Sequence, residues 1–216
     1  MMFYDYYDAA GDEVAALLDE IELGRLVTVA ADGTLHIGLY PFVALGPTVE
    51  IHLNGADEQV VDLRSNARCL FEVDDALAVI PSYWIHPENA VMATAYHRTV
   101  VLECQATIDA DPQAIADQQG RLMARYQPEG GFRTVGANDS MYASMLARLV
   151  AVTLDVQRVR AKFKLAQNRT EEVRATVAQR LRDRGRMLDV RAAAALESTI
   201  ERRAGGSGLE RSRGTV

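Results

Sequence analysis

The run Lys162-Phe163-Lys164-Leu165-Ala166-Gln167-Asn168-Arg169 lies between a predicted strand, 149–156, and a predicted helix, 170–184. It combines three cations with two side-chain amides, a mixture that a simple connection does not need. Side chains alternate along an extended segment, so the two lysines point to one face and the phenylalanine to the other. Cations and amide donors gathered where a helix begins suit an anion, typically a phosphate. A basic loop with one core phenylalanine and a solvated helix cap is the alternative.

The composition is that of a globular protein. The chain has 216 residues, of which 49% are hydrophobic and 25% charged, enough for one large domain or one domain with an appendage. It contains no uncharged apolar run long enough to span a membrane. The acidic, tyrosine-rich segment Met1 to Asp12 lacks the features of a signal peptide. Cys69 and Cys104 lie in apolar runs and are interpreted as buried thiols, so we expect a cytoplasmic protein.

The charge is divided unevenly along the chain. Residues 158–216 contain 15 Lys and Arg and 7 Asp and Glu, a net charge of +8, which leaves −15 on residues 1–157. Such a segment could bind the acidic body, a dimer mate, nucleic acid or another acidic partner. A solvated, arginine-rich helix is the alternative. We expect three regions: 1–157, then 158–203 with the basic motif and C-terminal helices, then a disordered tail, 204–216.

Periodicity and turn signals outline the elements. Gly24 is predicted to end the first helix, Asp32-Gly33 to form a hairpin turn and Asp74-Asp75 a second turn, and Pro41 to mark a bulge or an edge strand. The predicted helices are 12–22, 57–65, 111–126, 139–146, 170–184 and 189–203. The predicted strands are 25–30, 35–45, 49–53, 69–73, 77–80, 94–108 and 149–156. This order indicates an α+β fold, an antiparallel barrel with inserted and appended helices.

The sequence shows no catalytic signature of its own. Its four histidines, His36, His52, His86 and His97, lack the spacing of metal ligands, so no metal site is predicted. It also has no nucleophile elbow and no acidic pair that stands out as an acid/base couple. We therefore expect a cofactor to carry any reaction.

Residues 162–181 resemble the C-terminal signature of the PaiB-like FMN-binding negative transcriptional regulators, a K-x-K-L-S-Q-N-R run followed by acidic residues and a helix. Ala166 takes the usual serine position. Weaker resemblances to that family and to pyridoxamine 5'-phosphate oxidase-like split barrels cover residues 25–41, 52–63, 81–84 and 98–106. The family's P-T-W-N-Y segment is replaced by Met92-Ala93-Thr94-Ala95-Tyr96, which keeps only the tyrosine.

The resemblance implies a mainly antiparallel split β-barrel with inserted and C-terminal helices, in a homodimer that binds FMN at the subunit interface. Backbone from 28–30 and 39–42 would face the isoalloxazine. The implied cofactor-binding residues are Lys162, Lys164, Gln167, Asn168 and Arg169 as cations and amides, His52, Asn54 and Gln59 near the phosphate or ribityl end, Ser82, Tyr83 and Trp84 over the ring, and Arg98 and Thr28.

Two functions follow from these expectations. The first is an FMN-dependent oxidoreductase that transfers hydride or electrons to or from a small-molecule substrate. The second is a non-catalytic FMN-binding regulator or sensor that uses its basic C-terminal helices. The negative charge of residues 1–157 opposes direct DNA binding. Because residues 158–216 are basic, DNA binding remains an alternative. A haem-handling split barrel is a third hypothesis, for which only the scattered histidines offer axial ligands.

Overall fold

The computed structural model describes residues 5–206, with side chains described for 6–201. The helices in that range are α1 Gly11–Glu20, α2 Glu58–Ser65, α3 Pro112–Tyr126, α4 Ala143–Leu146, α5 Glu171–Arg184 and α6 Asp189–Gly206. The strands are β1 Leu23–Val29, β2 Leu35–Pro41, β3 Val43–Leu45, β4 Thr48–Asn54, β5 Arg68–Ile80, β6 Thr94–Asp109 and β7 Leu149–Lys164. No helix among the described residues is long and apolar enough to cross a membrane.

The described strands form one sheet in the order β2-β1-β5-β6-β7-β4-β3. The sheet is antiparallel and open, and with the helices it makes the α+β fold that the sequence predicts. Strand β2 lies at one edge and ends at Pro41, which pairs with Leu23 of β1. A proline suits this place because an edge strand has backbone donors that need no partner. The edge-strand prediction for Pro41 is therefore confirmed.

The chain divides into two compact units. The first, which we call the hairpin unit, comprises residues 11–73 and 100–160, and the second, the C-terminal unit, comprises 1–10, 74–99 and 161–216. Three long strands, β5, β6 and β7, each begin in one unit and end in the other.

Two aromatic rings pack together in the core of the hairpin unit. The rings of Phe42 and Phe71, both fully buried, meet edge to face with centroids 5.3 Å apart. Gly24 was predicted to end the first helix, but it lies within β1, so that prediction is wrong. A Cβ at Gly24 would come within 2.3 Å of the Phe71 ring, so close approach, not helix termination, explains the glycine. Cys69 and Cys104 are buried free thiols, and burial raises the pKa of each to about 12.

Helices α5 and α6 form the core of the C-terminal unit. Thr170 caps α5 by accepting a hydrogen bond from the Val173 amide, and Gly185, at φ 62°, ends the helix in the left-handed region. The Arg174 side chain is fully buried and donates to the Thr199 hydroxyl at 2.6 Å. Both helices confirm the prediction. Helix α6 extends to Gly206, and the rest of the predicted tail lies outside the described residues.

The predicted turn at Asp74-Asp75 is wrong, because β5 is one continuous strand of 13 residues. The Asp75 carboxylate is 5% exposed, and Arg98 and Arg191 lie 2.9 Å and 3.3 Å from it. Two cations from distant parts of the chain compensate for burying the carboxylate within a strand. The neighbouring aspartates are therefore a strand feature rather than a turn signal.

Strand β7 is twice the predicted length and runs to Lys164, so the strand does not end at Val156. Its second half is rich in charged residues. Arg160 and Arg158 lie 3.2 Å and 3.9 Å from the carboxylate of Glu103. Backbone pairing sustains the strand where its side chains are polar. The predicted helix 139–146 is also shortened, to α4, Ala143–Leu146.

Buried polar side chains fix α2 on the β1–β2 hairpin. The Asp62 carboxylate accepts a hydrogen bond from the Thr28 hydroxyl at 2.6 Å and contacts Nδ1 of His36 at 2.8 Å. The Gln59 amide nitrogen donates to the carbonyl oxygens of Leu26 and His36 and to Thr28, and its oxygen accepts from Tyr40. Each strand of the hairpin is thus bonded to the helix.

The His36–Asp62 contact should make stability depend on pH. The bond to Asp62 raises the pKa of His36 above its ordinary value of 6.5, with Glu58 and Asp32 adding to the shift. A raised pKa in the folded state stabilises the protein below pH 6.5, and this contribution is lost as pH rises through the folded-state value. We expect the free energy of unfolding to fall over this interval in the wild type but not in His36→Gln.

Urea denaturation between about pH 5 and 8 measures this difference. The matched control is His86→Gln, which replaces an exposed histidine of the C-terminal unit. It should keep the wild-type pH profile. Parallel profiles for the wild type and His36→Gln would contradict the assignment.

Candidate functional site

Between β7 and α5 the chain makes a tight turn that carries the central motif. Ala166 has a φ of 59°, the one left-handed residue other than glycine in the described range. The Gln167 side chain spans the turn: its oxygen accepts from the Leu165 amide at 2.8 Å, and its nitrogen donates to the Phe163 carbonyl. Left-handed backbone costs a residue with a Cβ about 1–2 kcal/mol. Gln167 thus stabilises the turn, a structural role that differs from its predicted contact with a cofactor.

The turn brings three of the predicted residues, Lys164, Asn168 and Arg169, to the wall of one pocket in the C-terminal unit. The pocket has a volume of about 230 Å³. Its other lining residues are Tyr7, Ile85, Val91, Met92, Ala93, Thr94, Tyr96 and Ala166. We call this site the anion pocket. Burial along β7 alternates, with Phe163 buried between the half-buried Lys162 and Lys164, which confirms that the two lysines share one face of the strand.

The charge of the anion pocket is positive. Lys164 and Arg169 are half-buried, and the described residues that line the pocket include no acidic side chain. In the described part of the chain neither cation has a carboxylate partner, and the Arg169 guanidinium lies 3.3 Å from the sulfur of Met92. Burial lowers the pKa of Lys164, and the charge of Lys162 lowers it further. A bound anion would relieve both effects, because it stabilises the protonated lysine.

A buried hydroxyl lies in the same pocket. Tyr96 is 3% exposed, and its hydroxyl has no hydrogen-bond partner among the described residues. Burial raises the pKa of Tyr96 to about 12, although the charge of Arg169 opposes the shift. The phenol is therefore neutral and able to donate. With two cations and the hydroxyl of Thr94, the pocket has the donor set of a phosphate site.

The pocket fits the phosphate end of a flavin mononucleotide better than the whole molecule. Pockets that enclose a drug-sized ligand usually have about 300–1,000 Å³, more than the 230 Å³ found in this pocket. The apolar side chains of Ile85, Val91 and Met92 line part of it and suit the uncharged part of such a ligand.

The remaining predicted residues of the C-terminal unit have partners within the protein. Arg98 pairs with Asp75 and so supports β5. Lys162 lies over the ring of Tyr7, with Nζ 5.8 Å from the centroid. Neither residue lines the anion pocket.

The predicted aromatic cover, Ser82–Trp84, forms a short 3-10 turn that α5 holds in place. The Arg184 guanidinium lies over the Trp84 ring at 4.8 Å, and Arg180 donates to the Tyr83 carbonyl at 3.3 Å. The next residue, Ile85, lines the anion pocket, but the three predicted residues do not.

The predicted residues of the hairpin unit do not gather into one pocket. Thr28 and Gln59 belong to the buried network that docks α2. The Asn54 oxygen accepts from the Ala56 amide in the turn after β4. His52 lies on β4, and burial lowers the pKa of its imidazole.

Tyr96 and Thr94 are pocket residues that were not predicted from the sequence, although a signal was present. Tyr96 is the one residue kept from the P-T-W-N-Y segment, and Thr94 lies two positions before it in β6, so both side chains are on the same face of the strand.

No group of three or more His, Cys, Asp or Glu within the described residues could hold a metal ion.

A family profile described as "Putative FMN-binding domain" matches residues 2–158. This range includes Thr94 and Tyr96 and ends before Lys162. No curated protein sequence matches the chain.

Solved structures share the fold at low sequence identity. The flavocytochrome Anf3 of Azotobacter vinelandii is 16% identical, with a TM-score of 0.62 over 80% of this chain and 77% of that one. A conserved hypothetical protein of Mycobacterium tuberculosis, Rv2991, is 19% identical, with a TM-score of 0.60 over 79% and 95%. The FAD and heme binding protein of Mycobacterium smegmatis is 18% identical, with a TM-score of 0.59 over 72% and 71%. At these identities the likeness shows the fold alone.

Proposed function

Because the chain belongs to the FMN-binding domain family, whose profile covers residues 2–158, we propose that it is an FMN-dependent oxidoreductase that holds the phosphate of FMN in the anion pocket. One observation supports the placement: Lys164 and Arg169 line a pocket whose other described lining residues are all uncharged. Bound FMN would supply hydride or electron transfer to a small-molecule substrate. The finer assignment to the PaiB-like branch is part of this proposal, supported by the run from Lys162 to Arg169.

Each residue of the pocket has a distinct task in this proposal. Lys164 and Arg169 bind the phosphate, and Asn168 and Thr94 offer neutral polar groups at the same wall. Gln167 holds the turn that presents these side chains. The chain's own contribution is thus binding and orientation of the cofactor.

The proposal includes a homodimer with flavin at the subunit interface. The hairpin unit presents apolar side chains at alternate positions of β2, where Leu35, Ile37 and Leu39 are 63%, 66% and 54% exposed. Arg25 of β1, which pairs with Leu39 in register, forms an ion pair with Glu72 on the same face. A two-fold interface needs a self-complementary patch. The exposed apolar side chains of β2, together with the positive Arg25 and the negative Glu72 beside them, provide such a patch.

The regulator hypothesis has less support from the C-terminal helices. Their arginines pair with acidic side chains of the same unit: Arg182 with Glu197, Arg184 with Asp189. Arg191 lies 3.3 Å from Asp75. These pairs reduce the positive charge that α5 and α6 offer to a DNA backbone.

Lys164→Ala combined with Arg169→Ala should weaken FMN binding by roughly a hundredfold or more, since each charge-assisted bond contributes about 1.5–3 kcal/mol. Titration with FMN measures this affinity through flavin fluorescence and through Trp84, the single tryptophan.

The charge-matched control replaces Arg64 and Arg158, two exposed arginines outside the pocket, with alanine. It should bind FMN as the wild type does. Equal affinity in the pocket variant and the wild type would mean that the run from Lys162 to Arg169 is structural.

Ile37→Asp should convert the dimer to a monomer, because the substitution places a charge at the centre of the proposed interface. Sedimentation equilibrium measures the mass. Val61→Asp is the control, since Val61 is 62% exposed on α2 rather than on the β2 face. A wild-type protein that is monomeric at all concentrations would refute the dimer.

The oxidoreductase and regulator hypotheses differ in turnover. Under anaerobic conditions, a nicotinamide donor should reduce the flavin of the FMN-loaded protein, and a small-molecule acceptor should reoxidise it. Absorbance of the bound flavin follows both steps. Absence of reduction by any nicotinamide donor, with a range of acceptors, would favour the non-catalytic regulator.

A further inference from the structure

The Tyr96 hydroxyl is a hydrogen-bond donor of the anion pocket that no described residue of the protein uses. It is buried, lines the pocket and has no partner. Resting on the proposed function, we propose that Tyr96 donates its hydroxyl hydrogen to a phosphate oxygen and thereby makes the pocket select FMN over riboflavin.

A buried hydroxyl without a partner destabilises a folded protein, since it loses its hydrogen bonds to water. The rest of the Tyr96 ring packs well at 3% exposure, and phenylalanine would pack in the same way without the penalty. A protein tolerates such a group where binding or catalysis uses it. The missing partner is therefore expected to come from a ligand.

The chemistry of the pocket indicates that this partner is a hydrogen-bond acceptor that carries negative charge. Lys164 and Arg169 are donors only, so they cannot satisfy a phenol that donates. None of the side chains described as lining the pocket is a carboxylate. A phosphate oxygen can accept from the phenol and from both cations at once. With its pKa raised to about 12, Tyr96 remains a donor at neutral pH.

This role makes Tyr96 a specificity-determining residue. Riboflavin and FMN share the ring and the ribityl chain and differ in the phosphate. A donor that contacts only the phosphate adds to the affinity for FMN and leaves that for riboflavin unchanged. A hydrogen bond to a charged acceptor corresponds to a discrimination of about tenfold to a hundredfold.

The test is Tyr96→Phe, examined for ligand affinity and for thermal stability without ligand. The variant should bind FMN about tenfold to a hundredfold more weakly and riboflavin as the wild type does. Without ligand it should be at least as stable as the wild type, because it lacks the unsatisfied hydroxyl.

Tyr126→Phe is the matched control, because the Tyr126 hydroxyl is satisfied by the carbonyl oxygens of Glu22 and Phe42 at 2.6 Å and 2.8 Å. Its loss should lower stability without ligand and leave FMN affinity unchanged. Tyr96→Phe would overturn the proposal if it behaved like this control, with lower stability and unchanged FMN affinity.

Inorganic phosphate separates this inference from the proposed function. If phosphate raises the thermal stability of the wild type more than that of Tyr96→Phe, the donor role is supported even when FMN does not bind. In that case the proposed binding of FMN is the claim that fails. If neither phosphate nor FMN distinguishes the two proteins, the donor role of Tyr96 is wrong.

Discussion

Lys164 and Arg169, two positive side chains with no acidic partner in the part of the chain that the structure describes, are the constraint on which the anion pocket depends. Burial, and after it the nearby charge of Lys162, lowers the pKa of Lys164, so the protonated lysine is destabilised in the folded protein. The turn that holds them includes a left-handed alanine braced by Gln167. A phosphate compensates for both the repulsion and the loss of water, and this compensation links the structure of the turn to its proposed function.

The arginines of the same unit show the opposite arrangement. Arg174 is fully buried against Thr199, and Arg184 joins Asp189 to the Trp84 ring. The sequence places a charge of +8 after residue 157, which alone favours an acidic external partner. Within the unit, Arg182 and Arg184 pair with Glu197 and Asp189, and Arg191 lies beside Asp75, whereas Lys164 and Arg169 line the pocket. The position of each cation is thus more informative than the net charge.

Local patterns predicted much of the fold. Capping and periodicity gave α2, α3, α5 and α6 to within a few residues, because these signals depend on neighbours in the sequence. Two strands were misjudged where long-range contacts decide the outcome. Asp75 continues β5 because Arg98 and Arg191 neutralise it, and Arg160 continues β7 beside Glu103. These partners are distant in the sequence, so local patterns do not reveal them.

The candidate site was predicted in part for the same reason. The motif indicated Lys164, Asn168 and Arg169, which do share a pocket. Local chemistry alone could not separate them from Gln167, whose amide bonds to the turn, or from Arg98, which pairs with Asp75. Tyr96 became significant only when its burial and its missing partner were visible.

A crystal structure of the protein with FMN tests the central claim most directly. The account predicts the phosphate within hydrogen-bond distance of Lys164, Arg169 and the Tyr96 hydroxyl, at about 2.5–3.2 Å. A flavin phosphate bound elsewhere, with the anion pocket holding only water, would contradict it.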